Sequence, residues 1–165
     1  MLEIEMSQGK IALVDDEYEW LKEIRWHPVN GYAVHTFRDH DKMIAIQMHR
    51  VILADMLGHE LRRFELCDHI NNIRFDNRSC NLRLATPTDN MRNRVKLSIT
   101  SGRYKGVSWD KTYSKWQCRI YVNHKSVFLG YFLKEVDAAL AYDRAAVKYF
   151  GEFAHLNFPD TVDVL

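Results

Sequence analysis

Asp68 and His69 stand side by side at the end of a short apolar run, and Asn81 closes a stretch crowded with Asn, Asp, Arg and Ser. Asn90 follows in a segment with helix-start signals. A carboxylate and an amide oxygen are hard ligands for Mg²⁺ or Mn²⁺, and too few to enclose the ion, so Asp68 and Asn90 would leave positions for water and phosphate oxygens. A neutral imidazole with an ordinary pKa of ~6.5 can take a proton from an attacking water, which is the role open to His69. Neighbours on a regular strand point to opposite faces, so Asp68 and His69 share one site only where the strand breaks. The turn signal Asn71-Asn72 supplies the break. Arg94 sits four residues after Asn90 on the same helical face and could grip a phosphate there. Zinc fits less well, because Cys67, His69 and Cys80 lack a fourth ligand at sensible spacing.

The elements that must position these groups follow from periodicity. Phe64–His69 reads as a strand, 71–81 as a loop and Leu82–Ala85 as a second strand. Thr86 is a good N-cap, Pro87 suits the first helical position, and Asp89 completes a variant capping box, so a helix is expected from Pro87 to about Lys96. Upstream, Lys10–Val14 reads as a strand, and Tyr18, Leu21 and Ile24 after Asp15-Asp16 read as a helix. Tyr32–Phe37 and Met43–Met48 form a hairpin, followed by a helix over His49–Leu57 that ends at Gly58. His49 is expected to be a packed, hydrogen-bonded histidine at that helix start.

Leu97–Arg103 has linker composition, and the pattern changes beyond it. Gly106–Trp109, Trp116–Val122 and Ser126–Phe132 are three short strands, followed by an Ala-rich helix over Lys134–Phe150 that ends at Gly151. The helix must cover one sheet face, with Val136, Leu140, Val147 and Phe150 along it, because three bare strands are barely stable. Alternation sends Trp116, Cys118 and Ile120 one way and Gln117, Arg119 and Tyr121 the other.

The chain has 165 residues, 47% hydrophobic and 27% charged, which excludes disordered and collagen-like classes. No apolar run approaches the ~20 residues of a membrane-spanning helix, and the first ten residues lack signal-peptide order. An intracellular protein without membrane association is expected. Three cysteines without a CxxC pair suggest reduced thiols. The net charge of +1 hides segregation: residues 1–23 carry seven acids against two bases, whereas residues 91–125 carry nine bases against Asp110 alone. A basic stretch containing Tyr104, Trp109, Tyr113, Trp116 and Tyr121 suits a phosphate backbone.

Residues Asp68–Asn93, DHINNIRFDNRSCNLRLATPTDNMRN, resemble the HNH endonuclease motif of phage and intron homing endonucleases. The resemblance implies Asp68 and Asn90 as metal ligands, His69 as general base and Asn81 as the asparagine that fixes the loop backbone, with Asn72 where the family usually has glycine. Residues Tyr104–Pro159, with YKGV, LGYF, AALAYDRAA and LNFP in order, resemble the AP2/ERF DNA-binding domain. That resemblance implies a sheet face presented to the major groove, with Arg103, Lys105, Trp109, Lys115, Arg119 and Tyr121 as DNA-binding candidates. Core packing competes for Trp109 and Trp116. Lys105, Ser108, Arg119, Tyr121 and Phe128 depart from the plant pattern at contact positions, so the plant target sequence does not carry over.

The expected fold is α+β: an HNH ββα-metal nuclease domain over residues 1–96, with its core at about 64–96 behind a subdomain over 1–60, then a linker (97–103). A three-stranded antiparallel sheet with a helix (104–159) and a short tail (160–165) complete it. The expected function is a metal-dependent endonuclease, using Mg²⁺ or Mn²⁺, acting as a monomer on double-stranded DNA and nicking one strand, in a bacterial or phage-infected cell. The alternative is a DNA-binding transcription regulator with an inactive HNH unit.

Overall fold

The computed structural model describes residues 1–93 and 102–160. The chain divides into two compact units, residues 1–90 and 91–165.

In the first unit, β1 (Leu2–Glu5) and β2 (Ile11–Val14) pair antiparallel, with Glu3 opposite Leu13. Their alternation buries Ile4, Ala12 and Val14. The segment after Asp15, Asp16–Glu23, is 3₁₀-helical with a kink at Tyr18, where the sequence predicts an α-helix. Tyr18 and Leu21 are buried in the core, and Ile24 packs against it. Trp26 then enters the core and donates its indole N–H to the Leu21 carbonyl at 2.9 Å.

β3 (His27–Val29), β4 (Tyr32–Asp39) and β5 (Lys42–Gln47) form an antiparallel sheet in that order. It leads into α1 (Met48–Leu57), whose C-cap Gly58 is left-handed at φ 71°, a conformation that glycine adopts without strain. β6 (Leu66–His69) pairs with β7 (Leu82–Ala85), so Asp68 stands opposite Arg83 and His69 opposite Leu82. The first of these strands begins at Leu66, two residues later than predicted, and Phe64 is exposed. α2 (Pro87–Arg92) opens on the expected capping box. Thr86 N donates to Asp89 Oδ2 at 3.2 Å, and Asp89 N to Thr86 Oγ1 at 3.2 Å. Residues 94–96 of the predicted helix and 97–101 of the predicted linker lie outside the described residues.

In the second unit, β8 (Val107–Asp110), β9 (Lys115–Val122) and β10 (Lys125–Phe132) form an antiparallel meander with β9 central. α3 (Glu135–Phe150) packs on it. The helix uses the predicted face only in part: Phe150 is in the core and Leu140 is half-buried. Ala138, Ala139, Tyr142, Ala145, Ala146 and Phe150 are buried, whereas Val136 and Val147 are exposed. Alanines let the helix axis approach the sheet closely, so four small side chains, with Tyr142 and Phe150, make up the inner face. Gly106 shows how tight the packing is. At φ +76° its missing Cβ would run into the Tyr142 ring and stand 2.7 Å from the Arg119 carbonyl.

Candidate nucleic-acid interface

Cross-strand partners share a sheet face, so the register of β8–β10 sorts the second unit's side chains unambiguously. Cys118 and Ile120 face α3 and are buried. Lys115, Arg119 and Tyr121 lie on the opposite face and are exposed, with Gln117 half-buried among them. Arg119 pairs with Phe128, Gln117 with Tyr131 and Tyr121 with Ser126.

Tyr131 reaches this face through a bulge. The register slips between Phe128 and Gly130, so Leu129 turns inward to the core, and Tyr131 returns to the outer face. Without the extra residue, alternation from Phe128 would place Tyr131 against the helix. Gly130 takes φ 135° at the bulge. Glycine inside a strand is the one sequence signal for such a feature, and it is the signal by which Tyr131 could have been found.

The outer face is a connected surface. The Arg119 guanidinium lies 5.4 Å from the Phe128 ring centroid, donates from Nε to Gln117 Oε1 at 3.0 Å and reaches Ser126 Oγ at 3.4 Å. Gln117 Nε2 donates to the Tyr131 hydroxyl at 3.2 Å, which donates to Asp110 Oδ2 at 3.2 Å. Tyr131 also packs against Phe128 and Tyr113, with ring centroids 5.1 and 5.0 Å away. Asp110 uses its other oxygen to accept Thr112 N at 2.9 Å and Tyr113 N at 3.2 Å, fixing the β8–β9 turn. Arginine, aromatic rings and an amide are therefore held in set positions on an open sheet.

Three predicted DNA-binding residues are placed differently. Trp109 pairs with Trp116 and so lies on the helix side of the sheet, the two rings meeting edge to face at 5.1 Å. Lys105 does not extend to the outer face: it is half-buried and its Nζ donates to the Arg92 carbonyl at 2.6 Å. Burial lowers its pKa to about 8, with nearby Asp143 opposing the shift. Arg103 is exposed beside the sheet, its backbone N–H donating to Glu135 Oε1 at 2.6 Å.

Of the predicted nuclease residues, Asp68, His69 and Asn81 are buried in the first unit. Asp68 and His69 are each 5% exposed. Arg83 clasps Asp68 Oδ2 from Nε at 2.9 Å and from its terminal nitrogen at 2.8 Å, as their cross-strand pairing dictates. His69 Nε2 lies 3.2 Å from Asn77 Oδ1, an acceptor only, so Nε2 carries the proton. Asn81 accepts from Asn71 N at 2.9 Å and donates to the Asp76 carbonyl at 2.7 Å, tying the loop, while Asn72 sits in the left-handed region at φ 61°. Asn90 is exposed on α2, and Arg94 lies outside the described residues.

His49 is 4% exposed and packs edge-on against His69, but its Nδ1 has no hydrogen-bond partner, contrary to the expected satisfied histidine. Burial, then His69 and Arg50, push its pKa down to about 3. Among the described residues no three His, Cys, Asp or Glu side chains converge to hold a metal ion. The one carboxylate predicted for Mg²⁺ or Mn²⁺ is ion-paired with Arg83, and the predicted amide ligand Asn90 is exposed on α2.

No family model matches the chain. Among curated proteins, it is 48% identical over 59 residues to an AP2/ERF and B3 domain-containing protein of Oryza sativa subsp. japonica, covering 36% of this chain and 16% of that one. It is 44% identical over 61 residues to an AP2-like ethylene-responsive transcription factor of Arabidopsis thaliana, covering 37% and 14%. An AP2/ERF and B3 domain-containing transcription repressor of the same plant is 38% identical over 65 residues, covering 39% and 18%. The chain thus spans less than a fifth of these relatives.

These relatives support an AP2/ERF-like domain and overturn the nuclease expectation. The predicted endonuclease activity, the enzyme class and the homing-endonuclease assignment are corrected accordingly. The bacterial or phage setting finds no support in relatives that come from plants. The architecture is mixed α and β with small antiparallel sheets, and nothing in it establishes a metal-dependent ββα domain. No described helix is long and apolar enough to cross a membrane.

Proposed function

We propose that the chain is a DNA-binding transcription regulator whose second unit docks the outer face of β8–β10 on double-stranded DNA. The observation that supports this reading most directly is the fixed cluster of Arg119, Phe128, Tyr131 and Gln117 on an open sheet whose other face is closed by α3. A β-ribbon fits the major groove, where an arginine can pair with guanine and an amide with adenine. Lys115 and Arg103 serve the phosphates, and Tyr121, Phe128 and Tyr131 supply apolar contact with sugars and thymine methyls. The relatives named as transcription factors and a repressor carry the regulatory half of the proposal. Binding is by a monomer inside the cell.

The test is selection of a preferred duplex from a random library, followed by anisotropy titrations. A specific site bound at least 10³-fold more tightly than random duplex fits a regulator. Arg119→Ala should lower affinity for that site by roughly 10-fold or more, the scale of one bidentate base contact. No preference for any duplex over random sequence would refute the reading.

A further inference from the structure

On the outer face of β8–β10 a chain of hydrogen bonds runs one way, from Arg119 to Asp110. Arg119 Nε donates to Gln117 Oε1 at 3.0 Å, Gln117 Nε2 donates to the Tyr131 hydroxyl at 3.2 Å, and that hydroxyl donates to Asp110 Oδ2 at 3.2 Å. The carboxylate at the end is itself anchored, because Asp110 Oδ1 accepts Thr112 N at 2.9 Å and Tyr113 N at 3.2 Å.

The chemistry of the two end groups leaves one arrangement of protons. An ionised carboxylate only accepts, so Tyr131 uses its single proton on Asp110. The phenol oxygen must then accept from Gln117, which turns the amide NH₂ toward Tyr131 and the amide oxygen toward Arg119. A flipped amide would set its oxygen against a hydroxyl with no proton left, and its NH₂ against a guanidinium that only donates. The Gln117 amide is therefore locked from both sides.

The lock decides which edge of the Arg119 guanidinium is left for a ligand. A guanidinium has two forked edges, Nε with one Nη or the two Nη groups together. Nε is taken by Gln117, and one flat face lies against Phe128, 5.4 Å from the ring centroid. Nη1 also reaches Ser126 Oγ at 3.4 Å, which leaves its second hydrogen for the edge it shares with Nη2. Arg119 is exposed, and among the described residues nothing bonds Nη2.

From this arrangement we infer that Gln117 and Tyr131 are positioning residues that hold Arg119 with its Nη1–Nη2 edge presented to guanine. The inference rests on the sheet-face reading and narrows it: Arg119 reads the base, and Gln117 acts through Arg119 instead of on a base of its own. Holding a long side chain in its bound posture beforehand lowers the ordering cost of binding. Loss of either partner should therefore cost affinity and base preference together.

Two measurements on the full chain test this. Without DNA, exchange of the Arg119 Nε–H with water is followed by NMR. Gln117→Met, which keeps the bulk without the amide, and Tyr131→Phe, which removes only the hydroxyl, should each speed that exchange several-fold. The second measurement uses the selected duplex and a panel of duplexes changed at single base pairs. Both variants should weaken binding about 3- to 10-fold and relax preference at the base pair that Arg119→Ala relaxes. In an Arg119→Ala background, Gln117→Met should change affinity by less than about 2-fold.

Unchanged Nε–H exchange in both variants would overturn the inference. So would relaxation by Gln117→Met at a different base pair that persists without Arg119, which would make Gln117 a base reader. Either result leaves the sheet-face reading standing as long as Arg119→Ala weakens binding. Unchanged binding by Arg119→Ala would remove that reading, and the positioning roles with it.

Discussion

Asp143 and Asn157 meet 14 residues apart: the buried carboxylate on α3 accepts the Asn157 backbone N–H at 2.8 Å and its amide Nδ2 at 3.1 Å. The other carboxylate oxygen accepts Phe158 N at 2.9 Å. Asn157 in turn brackets Lys105, accepting its N–H at 2.7 Å and donating to its carbonyl at 3.2 Å. One carboxylate thus joins the helix, the segment after it and the strand entry before β8. Burial holds Asp143 above the usual carboxylate range, against these hydrogen bonds, which pull it down.

Asp143→Ala should therefore destabilise the second unit by about 2–4 kcal/mol, since it strands several N–H groups in a fully buried place. Asp143→Asn should recover only part, because one amide oxygen replaces two acceptors. Denaturant unfolding followed by amide signals of β9 and α3 measures this. A loss below 1 kcal/mol for Asp143→Ala would show that the clamp contributes little.

Gly106→Ala should be at least as damaging. The added methyl meets the Tyr142 ring, which is fixed by burial, and the residue keeps a positive φ that alanine disfavours. Overpacking and strain together predict about 2–4 kcal/mol. Pairing with Tyr142→Ala, which opens space, should make the double variant less unstable than the two single losses combined. Strict additivity would mean that the two residues do not collide.

Acid should unfold the first unit preferentially. His49 in the folded protein has its pKa pushed down to about 3, against ~6.5 when unfolded, so the unfolded chain takes up the proton first. Stability from the neutral ring is complete above pH 6.5 and falls as pH drops toward 3, by about 2 kcal/mol at pH 5. Burial moves His69 in the same direction. Hydrogen exchange of α1 amides at pH 7 and pH 5 reads the loss, and His49→Leu should flatten it. Equal acid sensitivity of the two variants would remove His49 as the cause.

What could be read from the sequence was what short-range chemistry decides. The Thr86–Asp89 capping box, the left-handed Asn72 and the β8–β10 meander depend on residues a few positions apart. Long-range pairing was hidden. Nothing in the chain shows that Arg83 will stand opposite Asp68, and with that pairing a carboxylate that reads as a metal ligand becomes half of a buried ion pair. Alternation alone cannot place Tyr131, because the Leu129–Gly130 bulge resets the faces. The covering face of α3 was only partly legible, because apolar bulk was weighted over the close approach that alanine permits. Spacing by three around Tyr18 and Leu21 was present in the sequence but carries a 3₁₀ period as readily as an α-helical one.

The lysines of the second unit offer the sharpest contrast. Lys115 is exposed on the Arg119 face, whereas Lys105 is half-buried with its ammonium on the Arg92 carbonyl. A lysine that neutralises one phosphate contributes about −0.9 to the slope of log K against log salt. Lys115→Ala should therefore weaken duplex binding and flatten that slope by about that amount, with no change in stability beyond ~0.5 kcal/mol, the usual range for a surface substitution. Lys105→Ala should leave the slope unchanged and lower the stability of the second unit instead, since it removes the buried stem and the capped carbonyl. Lys105→Met, which keeps the stem, should restore part of that stability and still leave the slope alone. A slope flattened by Lys105→Met as much as by Lys115→Ala would mean that the Lys105 ammonium leaves Arg92 to reach a phosphate, and that the DNA surface extends beyond the outer sheet face.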